Sequence, residues 1–182
     1  LNNKLFDFQK HCVQLALKQG KYALFEECGL GKTFQQIEWA YQVMKYTNKS
    51  VIILTPLAVS GQTIKEGEKL GYKITKINND KNQTEIGLYI TNYEQLENLD
   101  VSCFSGVVLD ESSILKNYSG ALKELILEKF TYTSYKLCCT ATPSPNDELE
   151  IGNHAEFLNV CTSKDMRSIF FTTDKDIING QK

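Results

Sequence analysis

Arginine is almost missing from this sequence. Of the 20 basic residues 19 are lysines, and Arg167 is the one exception. Chemistry that needs a guanidinium must therefore find it at Arg167 or outside the chain. His11 and His154 are the two histidines. The six cysteines, Cys12, Cys28, Cys103, Cys138, Cys139 and Cys161, form no C-x-x-C pair, which argues against a structural zinc site or a disulfide framework. Flanked mostly by apolar residues, they fit buried thiols in a reducing cytosol. No excess of either charge exists, since 20 basic residues face 22 acidic ones for a net charge of −2. A polybasic nucleic-acid binder is thereby excluded as a description of the whole chain, while a local patch is not. No apolar run approaches the roughly 18 residues of a membrane span, and LNNKLFDFQK lacks the layout of a signal peptide. The expectation is a soluble, cytoplasmic protein. A start at Leu1 without methionine, and an end at Gly180-Gln181-Lys182 without a terminal device, suggest a piece of a longer protein.

A length of 182 residues suits one domain, and an apolar fraction of 42% is enough for that domain to bury a core. Apolar residues at Phe8, Cys12, Val13, Leu15, Ala16 and Leu17 recur at helical spacing, with Gly20 as the stop. Strands are expected at Tyr22–Phe25, Val51–Leu54, Tyr72–Ile77, Leu88–Thr91, Gly106–Leu109 and Tyr135–Cys139. Between them lie helical patterns from Lys32-Thr33 to about Lys45, Val59 to Leu70, Tyr93 to Leu99, Ala121 to Phe130 and Asp147 to Leu158. For Met166 to Phe171 the pattern does not decide between helix and strand. Strands alternating with helices imply an α/β fold, a mostly parallel central sheet with helices on both faces.

The sharpest chemical signal comes after the first strand, in Glu26-Glu27-Cys28-Gly29-Leu30-Gly31-Lys32-Thr33. Two glycines let backbone N–H groups turn around phosphate oxygens, and the loop leads into a helix N-terminus that favours an anion. Lys32 would reach the β- and γ-phosphates and the Thr33 hydroxyl would ligate Mg²⁺. Glu26 occupies the position of the first glycine of G-x-x-x-x-G-K-[ST]. A glycine turn ahead of an ordinary helix is the bland alternative, but strand, loop and helix stand in the order that phosphate binding requires. Val107-Val108-Leu109 then ends in Asp110-Glu111, two acids that belong at the carboxyl edge of a parallel sheet, where ligands bind. Asp110 is expected to hold the metal through water, and Glu111 to act as the general base for the attacking water.

At these residues the chain resembles superfamily 2 helicase-like ATPases of the DEAD/DEAH-box kind, and among them the Swi/Snf-type DNA translocases. Leu5 to Gln9 (LFDFQ) is similar to the glutamine motif, which implies that Gln9 bonds the adenine edge. Glu27 to Thr33 resembles E-M-G-L-G-K-T, so Glu27, Cys28, Gly29, Leu30, Gly31, Lys32 and Thr33 would form the ATP-binding loop. Val51 to Leu57 resembles motif Ia, Ile90 to Glu94 the I-T-x-Y-E segment, and Asp110 to Asn117 (DESSILKN) the D-E-A-H-R-I-K-N segment. Thr140-Ala141-Thr142-Pro143 resembles motif III, with Asn146 shortly after it. The resemblance implies a RecA-like P-loop domain that uses ATP and Mg²⁺, with residues 1–160 forming the ATP-binding lobe and 161–182 starting the connection to a second lobe. Ser112 and Ser113 replace Ala-His, so the coupling of the acids to Thr140 and Thr142 would run through a hydroxyl, at Ser113. The DESS form, with Ser144-Pro145-Asn146, is similar to phage or prophage helicases, which would place the protein in a bacterial or phage-infected cell.

In that family a C-terminal RecA-like lobe supplies the arginine finger and the stronger grip on DNA. Arg167 lies beyond the recognised motifs and has no counterpart as a finger. Removal of a finger from related sites costs roughly 10³ or more in rate, so the lobe alone should be nearly inactive. The resemblance also implies phosphate contacts from Thr55, Thr91, Asn92 and Tyr93. Lys116 and Asn117, just after the acids, read as backbone contacts or as a solvated helix start. Because Lys73, Lys76 and Lys81 are spread among acidic residues, the lobe alone is expected to bind nucleic acid weakly and in a salt-sensitive way. Trp39 and the helical aromatics are expected in the core. The expected function is the ATP-hydrolysing lobe of a DNA-dependent translocase. Its rivals are a non-catalytic nucleotide- or DNA-binding regulatory module and the motor subunit of a restriction or repair complex.

Overall fold

Val51, Ile52, Ile53 and Leu54 offer no polar side chain to either face, so the strand they form must be covered on both sides. In the computed structural model this strand, β2 (Ser50–Thr55), is buried from end to end in the middle of the sheet. The structure describes residues 1–78, 85–117, 120–144 and 150–171, without the side chains of Lys116 and Asn117. The other strands are β1 (Lys21–Phe25), β3 (Ile74–Lys76), β4 (Leu88–Asn92), β5 (Phe104–Asp110) and β6 (Tyr135–Thr140). They form one six-stranded sheet in the order β1-β6-β5-β2-β4-β3. Every pairing is parallel, which turns the expected mostly parallel sheet into a wholly parallel one among the described residues.

Side chains alternate across the pleat and divide the core in two. Val51, Ile53, Ile90, Val108, Leu137 and Cys139 pack with Val13, Ile37, Trp39, Ala40 and Leu70 from helices α1 (Asp7–Gln19), α2 (Lys32–Thr47) and α3 (Ser60–Leu70). Ile52, Leu54, Val107, Leu109 and Cys138 face the other way, toward Tyr93, Leu96, Leu115, Ile126 and Phe157. These come from a 3-10 helix at Tyr93–Asn98 and from α4 (Ile114–Asn117), α5 (Gly120–Lys129) and α6 (Ile151–Phe157). Trp39 is fully buried, as expected of a core residue.

Three local differences from the sequence pattern have physical causes. Strand β3 is shorter than Tyr72–Ile77 because Gly71, at φ +85°, closes α3 and the Tyr72 N–H donates to the Gly67 carbonyl. The Tyr72 ring then stacks on Tyr41 at 3.9 Å, and its hydroxyl donates to Glu38 at 2.7 Å. The segment at Tyr93 is a 3-10 turn capped by Asn92, whose Oδ1 accepts from the Gln95 N–H at 3.1 Å. The undecided tract near Met166 belongs to helix α7 (Ser163–Phe170), capped by Thr162, with Met166 buried against Gly152 of α6. Packing on the domain thus continues past residue 160. The start of the helix expected from Asp147, together with Asn146 and Lys81, lies outside the described residues.

Helix α6 is fixed by a buried lysine. Lys136 on β6 is 1% exposed, and its Nζ donates to the Phe157 carbonyl at 2.9 Å and to Asn159 Oδ1 at 2.6 Å. A cation at a helix C-terminus completes free carbonyls and suits the helix dipole. Burial holds this ammonium below the usual lysine range, at about 8.

Parallel strands end together. The register pairs Phe25 with Thr140, Asp110 with Cys139, Leu54 with Leu109 and Thr55 with Asn92. The phosphate loop after β1, the acid pair closing β5 and the Thr140–Thr142 segment therefore share one sheet edge.

Candidate active site

Backbone conformation shapes the loop before any side chain does. Gly29 stands at φ +87° and Gly31 at φ +76°, a left-handed region that favours glycine. Gly31 is also the residue from which α2 starts. A Cβ added there would collide with the side-chain amide of Gln9. Gly31→Ala is expected to lower the melting temperature and to weaken nucleotide binding together, as thermal unfolding and fluorescent-nucleotide titration would show. Gly29→Ala meets no atom within 4 Å and carries only the backbone penalty, about 1 kcal/mol.

Gln9 is 3% exposed, with a bond at each end of its amide. Its Oε1 accepts from the Phe6 N–H at 3.0 Å, as a residue in the first turn of a helix does when it folds back on the cap. Its Nε2 donates to the Leu30 carbonyl at 2.9 Å. The amide expected to face adenine is here a strut between the start of α1 and the phosphate loop. Gln35 is a second strut: its Nε2 donates to Glu26 Oε2 at 2.7 Å. Its place three residues after Lys32 on α2 was the signal available in the sequence.

Lys32 Nζ donates to the carbonyls of Glu26 at 2.7 Å and Glu27 at 3.1 Å. The ammonium therefore lies against the loop backbone. Glu27, Cys28, Gly29 and Leu30 line the outer part of the loop, while Gly31, Lys32 and Thr33 lead inward to α2.

Across the edge, the Asp110 carboxyl is 6% exposed. Burial pushes its pKa up to about 6 and the Glu111 charge adds to the rise, while the Gln36 amide and the Lys32 ammonium oppose it. Gln36, on α2 one turn beyond Thr33, is fully buried, and neither amide atom has a partner at hydrogen-bond geometry among the described residues. A buried, unpaired amide beside a buried carboxyl was not legible in the sequence. On the other side the Tyr93 hydroxyl donates to the Asp110 carbonyl at 2.7 Å, and burial holds that phenol well above its usual range.

Glu111 is exposed, with φ +52°. A left-handed conformation at a non-glycine residue costs on the order of 1 kcal/mol and persists only where its surroundings impose it. Ser112 supplies that constraint, because its N–H donates to the Cys139 carbonyl at 2.9 Å and its side chain is fully buried. The side-chain bond that leaves this segment comes from Ser112, which pairs with His154 Nε2 at 3.0 Å. Ser113, half-buried, stands where the expected coupling would have begun. Thr140 accepts the Thr142 N–H on its Oγ1 at 3.1 Å, and its carbonyl accepts the Glu26 N–H at 3.2 Å. The Thr140–Thr142 segment therefore touches the phosphate loop through backbone.

The side chains of the residues expected to meet nucleic acid are buried. Thr55 is 0% exposed, Thr91 1%, Asn92 7% and Tyr93 1%. Thr91 donates to the Ile77 carbonyl, Asn92 caps the 3-10 helix and Tyr93 braces Asp110. A parallel sheet this well covered leaves the last residues of its central strands, Thr55 and Asn92, inside, and the Thr55 hydroxyl has no partner among the described residues. Arg167 is exposed on α7, as expected of a surface charge.

Among the described residues no three His, Cys, Asp or Glu side chains cluster closely enough to hold a metal by themselves. The Thr33 hydroxyl and Asp110 carboxylate are hard oxygen donors of the kind Mg²⁺ takes in ones and twos alongside substrate phosphates. A buried acid beside an unpaired amide is a fitting neighbour for such a cation.

Comparison with known proteins adds three observations. The family model described as SNF2-related domain matches residues 8–177. DNA annealing helicase and endonuclease ZRANB3 of Mus musculus is 29% identical over 161 residues, covering 79% of this chain and 15% of that protein. Its Bos taurus counterpart is 28% identical over the same length. The chain thus spans about 15% of the length of these curated relatives. Among solved structures, the Sulfolobus solfataricus SWI2/SNF2 ATPase core in complex with dsDNA superposes with a TM-score of 0.77 at 21% identity, covering all of this chain and 41% of that one. The UvsW helicase from bacteriophage T4 superposes at 0.66 and 17%, covering 88% of this chain and 59% of that one. The fold is accordingly the RecA-like α/β fold of these cores.

Proposed function

The chain belongs to the SNF2-related domain family, and from that membership we propose that it is the ATP-binding lobe of a DNA-dependent ATPase and translocase. The observation that carries this reading is the convergence at one sheet edge of Lys32 in a glycine-formed loop with the acids Asp110 and Glu111. The loop N–H groups and Lys32 hold the β- and γ-phosphates of ATP. Thr33 and Asp110 would hold Mg²⁺, which when bound offsets the charge that builds on the transferred phosphoryl group. Glu111 accepts a proton from the attacking water and points it at the γ-phosphate. Gln9 and Gln35 keep the loop in shape, and Gln36 and Tyr93 keep Asp110 in place.

The family relatives are longer than this chain, and a second lobe completes the machine. It contributes the arginine finger and the larger share of the DNA grip, so residues 1–182 alone turn over little. Residues 1–160 hold the nucleotide, and the segment from 161 begins the path to that second lobe. The neighbour solved with dsDNA supports duplex DNA as the track. The full-length protein is expected to hydrolyse ATP in the presence of Mg²⁺ and to do so faster when double-stranded DNA is added. Steady-state phosphate release with and without a duplex checks this, and absence of turnover under both conditions overturns the reading.

A further inference from the structure

Glu111 needs more than its own backbone to aim a water molecule. Its φ of +52° is not a conformation it would choose, and its side chain is exposed. Its neighbour Ser112 has every polar group committed. The Ser112 N–H donates to the Cys139 carbonyl at 2.9 Å, its carbonyl accepts the Leu115 N–H at 3.0 Å, and its hydroxyl pairs with His154 Nε2 at 3.0 Å. The first two bonds belong to the sheet and to the turn into α4. The third reaches 42 residues along the chain to another helix.

His154 is well placed to act as an anchor. It is 3% exposed, and its ring meets Phe25, the last residue of β1 before the phosphate loop, edge to face at 5.1 Å and 80°. It therefore touches both halves of the site at one remove, Phe25 beside Glu26 and Ser112 beside Glu111. Its helix cannot drift, because Lys136 holds the last turn and Lys123 pairs with Glu156 at 2.7 Å. An apolar pair would fill this space at lower desolvation cost, since each buried polar group must be repaid by its hydrogen bond. What an apolar pair lacks is direction, because a hydrogen bond defines an angle that packing alone leaves loose.

We infer that the Ser112–His154 pair positions Glu111 for attack on the γ-phosphate, so that the seating of α6 sets the rate of the chemical step without setting affinity for ATP. The inference rests on the proposed ATPase function. Ser112 and His154 are positioning residues in this scheme, and neither touches nucleotide. A displacement of a reacting group by about 1 Å costs on the order of 100-fold, which sets the scale of the effect.

The test uses the full-length protein with Mg²⁺-ATP and duplex DNA. Ser112→Ala removes the hydroxyl with no added bulk, and it installs the residue usual in the related D-E-A-H segment. His154→Asn removes the Nε2 position, whereas His154→Gln keeps a polar atom near it. Ser112→Ala and His154→Asn are expected to lower kcat by about 10- to 100-fold with KM for ATP and fluorescent-nucleotide affinity changed less than about twofold, and His154→Gln is expected to recover most of the loss. In a Glu111→Gln background, Ser112→Ala should have no further effect on kcat. Wild-type kcat in Ser112→Ala and His154→Asn, equal loss in His154→Gln and His154→Asn, or loss of ATP affinity in step with kcat would each overturn the inference. If Glu111→Gln itself keeps wild-type turnover, the general-base reading fails first. If Glu111→Gln is inactive while Ser112→Ala is not, only the positioning role fails. Ser112→Ala keeps the test decisive even where a His154 variant does not fold.

Discussion

Replacing Lys32 with alanine is expected to abolish measurable ATP turnover and to weaken nucleotide binding in the same step. The ammonium is carried to the mouth of the loop by the first turn of α2 and rests on the carbonyls of Glu26 and Glu27. In the proposed function the same group exchanges those neutral acceptors for anionic ones when phosphates enter, and charge-assisted bonds of that kind are roughly twice as strong. Its largest contribution comes as charge builds on the transferred phosphoryl group, where loss of one such donor costs about 10²- to 10³-fold in kcat. Arginine is not expected to rescue it, because a planar fork cannot occupy the space of a compact point charge. The fold should survive, since the lost contacts are two bonds at a half-buried site. Steady-state phosphate release, nucleotide titration and thermal unfolding on the same sample separate these effects. Turnover near the wild-type rate would mean that the loop is an ordinary glycine turn.

Glu111→Gln is expected to give the complementary result, with ATP bound and hydrolysis lost. The change is isosteric and removes only the capacity to take a proton, which is worth about 10²- to 10⁴-fold where a positioned base is used. Nucleotide affinity should stay close to the wild-type value, because the loop and Lys32 are untouched. A second signature comes from electrostatics. The Glu111 charge is one of the causes that raise Asp110, so its removal should shift the Asp110 carboxyl down from about 6, as carboxyl NMR titration would read. A regulatory module with no turnover predicts instead that Glu111→Gln changes no biological output. The two variants together divide the site into a binding half on β1 and α2 and a chemical half on β5.

Much of this was legible from local pattern. Continuous β-branched runs such as Val51 to Leu54 announce a covered strand, and Gly29, Gly31, Lys32 and Thr33 sit close enough in sequence for their joint geometry to arise from a single turn. The acids at Asp110 and Glu111 could be placed at a sheet edge because charges at the end of an apolar strand have nowhere else to go. The direction of individual side chains was harder to foresee. Thr91 and Asn92 are small and polar at a strand end, which suits a phosphate contact as well as a cap, and their bonds to the carbonyl of Ile77 and the N–H of Gln95 appear only in the folded chain. Gln9 likewise carries one amide that could serve adenine or the loop, and the Leu30 carbonyl and the Phe6 N–H take both ends of it.

Element order, the parallel sheet and the phosphate loop with its paired acids are properties of short stretches of chain, because hydrophobic period, glycine conformation and charge act over a few residues. The arginine shortage belongs with them, since composition alone leaves Arg167 as the one guanidinium in these 182 residues. Partnerships across the sheet are a different matter. Lys136 at the end of α6 and Ser112 against His154 each join residues far apart in sequence, and burial makes each partner necessary. A polar group in a closed core must find its hydrogen bond in whatever element packs against it, so these pairings were decided only when the helices settled on the sheet.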